Sequence, residues 1–78
     1  MNGTESHNKE FGRNLRRLRK AAGFDSQEAL ARALGVSVFT ISRYERGETK
    51  PDINGLYALA AVLGVEASEL LPSSEAAA

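Results

Sequence analysis

The chain has 78 residues with no cysteine and a formal net charge of zero, which leaves room for one small domain without disulfides or thiolate metal sites. No apolar run approaches the roughly 20 residues needed to span a bilayer, and Met1 to Glu10 is too polar for a secretory signal. The zero net charge hides a segregation. Residues 1–50 hold all ten Lys and Arg against six acids, whereas residues 51–78 hold four acids (Asp52, Glu66, Glu69, Glu75) and no base. Such polarity allows one face to meet a polyanion while another stays away from it.

Taken in chain order, residues 1–8 read as a disordered leader, with His7 a solvated side chain rather than a ligand. The domain is expected over 9–71, followed by a disordered tail over 72–78. Phe11, Leu15, Leu18 and Ala22 recur at the spacing of one helix stripe, with Arg13, Arg16, Arg17 and Lys20 around it as a basic outer face. Arg19 falls at the boundary of that stripe. Gly23 ends the first helix.

Ser26 is an N-cap for a second helix, though Ala29 stands where a capping box needs Glu or Gln. Leu30, Ala31 and Leu34 form its apolar face. Gly35-Val36-Ser37 is a three-residue turn, and Ser37 caps a third helix over Val38 to Arg46, closed by Gly47. Asp52 caps a fourth helix with Ile53, Leu56, Leu59 and Leu63 inward, ending at Gly64. A short fifth helix follows, anchored by Val65, Leu70 and Leu71 and stopped by Pro72. No strand alternation is visible, so the expected class is all-α with five helices.

The spacing within 27–46 is the informative feature. Leu30, Leu34, Val36, Ile41 and Tyr44 are placed to hold two helices on one core. Ala31 is small where the helices touch, and Gly35 tolerates the backbone of a tight turn. With Ile41 inward, Tyr44 and Glu45 flank it. Phe39 and Arg43 project to the opposite face, with Ser42 and Arg46 beside them. An outward phenylalanine one turn from an arginine suits a DNA major groove: Arg can donate two hydrogen bonds to guanine and an apolar group can touch a thymine methyl. Packing of Phe39 on a neighbouring element or a dimer mate is the competing explanation.

The residues Leu18-Arg19, Gly23, Ser26-Gln27-Glu28, Leu30-Ala31, Leu34-Gly35-Val36-Ser37, Thr40 to Gly47 and Pro51 together resemble the Cro and phage-repressor (XRE) family of helix-turn-helix proteins. The likeness continues through Leu56, Leu59-Ala60, Leu63-Gly64-Val65 and Leu70-Leu71, covering roughly residues 11–71. One departure is Phe24-Asp25, where the family commonly has a single apolar residue. The resemblance implies a five-helix repressor-like domain that binds double-stranded DNA as a homodimer in a bacterial or phage-infected cytoplasm, on the nucleoid.

By the same resemblance, base contact falls on Val38, Phe39, Thr40, Ser42 and Arg43. Phosphate contact falls on Ser26, Gln27, Arg46, Thr49 and Lys50, for which helix N-termini and cations supply the physics. Arg19 and Glu45 correspond to a partly buried salt bridge joining the first and third helices. Tyr57, Ala58 and Ala61, projecting from the fourth helix, are the candidate dimer surface.

No catalytic residue, metal site, cofactor or small-molecule ligand is suggested: the one histidine lies near the N-terminus, and no phosphate-binding glycine loop or carboxylate cluster is present. Two functions therefore remain in view. One is a sequence-specific transcriptional regulator, most naturally a repressor. The other is an antitoxin-like or coactivator-like adaptor using the same fold, which acidic or polar residues on the outer face of the third helix would favour. Arg43, Arg46 and Lys50 argue against the adaptor.

Overall fold

The computed structural model describes residues 3–73 as five α-helices: α1 Gly3–Ala21, α2 Gln27–Leu34, α3 Val38–Glu45, α4 Ile53–Leu63 and α5 Ala67–Leu70. Helices α2 to α5 are too short to be stable alone, and every helix has an apolar stripe that must find partners. Each supplies one side chain fully removed from solvent: Leu15, Leu30, Ile41, Leu59 and Leu70. Phe11, Leu18, Ala31, Ala60 and Leu63 complete the core. Five elements converge on one point, so displacing any of them opens the interior.

Local sequence sets the helix ends. Ser26 Oγ accepts the Ala29 N–H at 3.0 Å, Ser37 Oγ accepts that of Thr40 at 3.2 Å, and Asp52 Oδ1 accepts that of Gly55 at 2.8 Å. Each satisfies a backbone donor that the first turn of a helix cannot pair internally. α5 is opened by a reciprocal box: Glu66 and Glu69 each accept from the other's backbone N–H. Gly35, at φ 82°, lets the chain leave α2 in the left-handed conformation and return its N–H to the Ala31 carbonyl at 2.8 Å. That reversal makes the short α2–α3 turn possible.

Several expectations need correction. α1 begins at Gly3, so residues 3–8 are helical where a disordered leader was expected. Once a helix is anchored by Phe11 and Leu15, each further residue adds a hydrogen bond without a new nucleation cost, and a polar extension leaves no apolar periodicity to detect. At the other end Pro72 is buried, and Ser73 donates to Glu10 Oε2 from its N–H at 3.2 Å and its hydroxyl at 3.1 Å. The start of the expected tail is thus tied to α1. Positions 1, 2 and 74–78 of the expected leader and tail lie outside the described residues.

Ala22, Val36 and Ile53 also differ from their expected core places. Ala22 lies in the turn after α1 and is exposed. Val36 is 38% exposed within the α2–α3 turn. Ile53 is 67% exposed, because the buried arc of α4 is centred between Leu56, Leu59, Ala60 and Leu63 and the first residue of the helix falls at its edge. The third helix is one residue shorter than expected, with Arg46 as its C-cap.

Candidate nucleic-acid interface

The inner side of α3 is fixed before its outer side can be considered. Ile41 is fully buried, and Tyr44 meets Phe11 edge-on with ring centroids 6.4 Å apart at 85°. Burial, reinforced by the negative charge of Asp52, pushes the Tyr44 hydroxyl above its ordinary pKa of 10.0. At the end of the helix α1 presses directly on the backbone. A Cβ at Gly12 would collide with the Glu45 carbonyl oxygen and lie 2.7 Å from that of Tyr44. Gly47, at φ 75°, lies against Lys9 of the same helix, where a Cβ would sit 2.9 Å from the Lys9 Cα.

The strongest polar anchor is the pair Arg19 and Glu45. Arg19 Nε donates to Glu45 Oε2 at 2.7 Å, with both side chains almost completely buried at 4% and 3% exposure. Arg19 Nη2 reaches Glu45 Oε1 at 3.4 Å, and Nη1 donates to the Phe24 carbonyl at 2.9 Å. Gln27 Nε2 donates to the same Glu45 Oε1 at 2.9 Å. One carboxylate on α3 therefore gathers donors from α1 and α2, while Arg19 also holds the loop between them. Phe24 packs on the core, as its apolar character requires, and Asp25 is left exposed.

With the inner edge held, the outer edge is set. Phe39 is 75% exposed and touches no other helix well enough to be covered. Arg43 and Arg46 are 57% and 58% exposed. Ser42 and Thr40 are half-buried, and the Thr40 hydroxyl lies 3.1 Å from the Ser37 hydroxyl, so it takes part in the helix cap. Val38 differs from its neighbours: it is half-buried against the core, with only part of its side chain on the outer face.

The residues expected to contact phosphate lie at the start of α2 and in the loop after α3. Ser26 is exposed at the start of α2, where the unpaired N–H groups of a first turn attract anions. Gln27 is half-buried and its side-chain amide is committed to Glu45. Thr49 is half-buried and Lys50 exposed in the loop after α3. Glu48 is exposed in the turn after α3. Its carboxylate pairs with Arg46, which donates from Nε to Oε2 at 3.0 Å and from Nη2 to Oε1 at 3.1 Å, and stands 3.8 Å from Arg43 Nε.

Two further features escaped sequence reading. Asn14 Nδ2 donates to the carbonyls of Leu70 and Leu71 at 3.1 and 3.2 Å, closing the C-terminal end of α5 from α1. A half-open groove of about 420 Å³, lined by Phe11, Leu56, Leu71 and Pro72 with His7, Asn8 and Lys50, lies beside the start of α4. Tyr57 is 62% exposed on α4, as are Ala58 and Ala61 beside it, and Ile53 one turn earlier joins the same outward face. Among the described residues no helix is long and apolar enough to cross a membrane.

A short recognition-sized helix, held at a fixed angle to a preceding helix by a tight turn and exposing cations with an aromatic group, defines a helix-turn-helix DNA-binding domain. A family model for the helix-turn-helix domain matches residues 10–72. The chain is 40% identical over 62 residues to the uncharacterized HTH-type transcriptional regulator YazB of Bacillus subtilis, covering 80% of this chain and 88% of that one. It is 39% identical over 67 residues to the HTH-type transcriptional regulator y4dJ of Sinorhizobium fredii, covering 86% of each.

Among solved structures, the restriction-modification controller protein C.AhdI of Aeromonas hydrophila superposes with a TM-score of 0.74 at 36% identity, covering 81% of this chain and 94% of that one. The hypothetical transcription factor NHTF from Neisseria superposes with a TM-score of 0.76 at 34% identity, covering 91% and 83%. The chain belongs to the Cro and phage-repressor-like helix-turn-helix family of DNA-binding transcriptional regulators.

Proposed function

We propose that the chain is a transcriptional repressor that binds a pseudo-palindromic operator as a homodimer, with α3 in the major groove. The observation that carries this reading is the division of α3 into two edges. Ile41 and Glu45 are locked inward, while Phe39 and Arg43 are presented outward, one turn apart. Arg43 is suited to a guanine and Phe39 to a thymine methyl. Val38, Thr40 and Ser42 make the remaining base contacts, Val38 through the part of its side chain that stays outside the core. Ser26, the backbone of Gln27, Arg46, Thr49 and Lys50 bind phosphate and set the register.

One such domain reads only a few base pairs, so two copies on half-sites one DNA turn apart are needed for useful discrimination. The exposed face of Tyr57, Ala58 and Ala61, extended by Ile53, is the self-complementary surface for that pairing. The similarity to a controller protein agrees with a regulator of this small size. Repression follows from occupancy, because a dimer seated on a promoter excludes polymerase without any further surface. Such a protein works on the cytoplasmic nucleoid.

The test is a mobility shift on the DNA upstream of the chain's own gene across a salt series, with Arg43→Ala beside the wild type. Binding that is preferred over random DNA, weakens steeply with salt and loses base preference in the variant is expected. Wild-type binding with no preference over random duplex would move the assignment to a protein-interaction adaptor.

A further inference from the structure

We infer that Glu48 is a specificity-determining residue: its carboxylate restrains Arg46 and Arg43 from indiscriminate phosphate contact. The inference rests on the DNA-reading role proposed above. The Arg46 guanidinium presents its Nε and Nη2 edge to both carboxylate oxygens, at 3.0 and 3.1 Å, the two-bond fork that arginine makes best. Arg43 Nε stands 3.8 Å from Oε1, near enough to feel the charge but not hydrogen-bonded. The Glu48 N–H donates to the Arg43 carbonyl at 3.0 Å, so the residue's backbone is fastened to the end of α3, within side-chain reach of both cations.

A role in holding the fold together does not explain this arrangement. All three side chains are more than half exposed, where even a well-formed ion pair contributes at most about 1 kcal/mol to stability. Position matters instead, because the acid stands between Arg43, the proposed base reader, and Arg46, Thr49 and Lys50, the edge proposed to meet the DNA backbone. Sequence-independent binding comes almost entirely from cations on phosphates. A fixed carboxylate there lowers that contribution for every sequence and keeps Arg43 from swinging to the nearest phosphate. A duplex offering a guanine to Arg43 recovers what is lost, and a random duplex does not. Glu48 thus weakens wrong sites more than right ones, which is how repulsive elements produce discrimination.

The test uses Glu48→Gln, which keeps the side-chain length and one oxygen acceptor for Arg46 while removing the charge. Wild type and variant are titrated against a random-sequence duplex and against a duplex recovered by wild-type selection from a random pool, across a salt series. The variant is expected to bind the random duplex about five- to tenfold tighter, with its salt slope steeper by about 0.9 for one added effective cation. Binding to the selected duplex is expected to change less than threefold, and the thermal midpoint to fall by no more than the roughly 4–8 °C that 1 kcal/mol represents in so small a domain. An equal gain on both duplexes, no gain on the random one, or a thermal midpoint lowered further than that would each overturn the inference while leaving DNA reading intact. A wild type that selects no sequence and shows no salt-dependent binding would overturn the DNA-reading proposal, and Glu48's role with it.

Discussion

Replacing Glu45 with alanine removes the acceptor on which three helices converge. Arg19 Nε and Nη2 and Gln27 Nε2 lose their partner, and Arg19, at 4% exposure, is left as a buried charge with only the Phe24 carbonyl. Breaking a buried pair in this way costs about 3–5 kcal/mol. A domain of about 70 residues has only some 4–10 kcal/mol of stability in total, at 0.05–0.15 kcal/mol per residue. Urea unfolding followed by circular dichroism at 222 nm measures the loss. With a slope of about 1 kcal/mol per molar urea for so small a domain, the midpoint should fall by roughly 3 M, or the variant should be unfolded in buffer. The double variant Arg19→Met with Glu45→Leu restores most of the stability, because neither charge is then stranded. A Glu45→Ala midpoint unchanged from wild type would refute the reasoning, as would a double variant no better than the single one.

Three other perturbations have defined outcomes. Gly12→Ala drives a methyl into the Glu45 backbone carbonyl, so the variant should lose about 1–3 kcal/mol in the same unfolding assay despite alanine's better helix propensity. Because the Tyr44 pKa is raised in the fold, the neutral hydroxyl is favoured there. That contribution is complete below pH 10.0, the ordinary value, and is lost as pH rises through the higher folded value, so an alkaline stability titration should decline above pH 10 and decline less in Tyr44→Phe. Tyr57→Asp places a charge on the proposed dimer face without touching the core, and sedimentation equilibrium should show dimer affinity reduced about 30-fold, as for a central aromatic anchor, with an unchanged helical spectrum.

Periodicity made the core legible wherever an apolar side chain also faced inward. Leu15, Leu18, Leu30, Ile41, Leu59 and Leu63 are placed by spacing alone, and Ser26, Ser37 and Asp52 declare helix starts because their oxygens are needed there. Ile53 shows the limit of that method, since a stripe drawn through a helix does not say where the body it packs on ends. Contacts between segments far apart in the chain were not legible. Gly12 looks like any helical glycine until the Glu45 carbonyl is found against it, and Asn14 looks like surface until the end of α5 is found above it. The polar start of α1 left no pattern because a propagating helix needs none.

For the candidate interface, the outward direction of Phe39 and Arg43 follows from Ile41 being inward, and the exposures agree with that geometry. The pairing of Arg19 with Glu45 was available only from the family resemblance, since two charges at the edges of separate stripes need not meet. Glu48 was illegible, because an acid three residues past a helix end carries no sign of the arginine fork it completes. Val38 was half legible. Its place three residues before Ile41 turns it toward the core, where part of its side chain is found, and only the family resemblance put it among the base contacts.

The most direct test of the division of α3 into a core edge and a reading edge is an amide chemical-shift titration of the isotope-labelled protein with a short duplex at low salt. The largest perturbations should fall on Phe39, Thr40, Ser42 and Arg43, with Ser26, Gln27, Thr49 and Lys50 flanking them, and leave Ala61 and Glu69 unchanged at the ratio first added. Perturbations centred on α4 and α5, with Phe39 and Arg43 unmoved, would contradict the assignment of α3 as the DNA-reading helix.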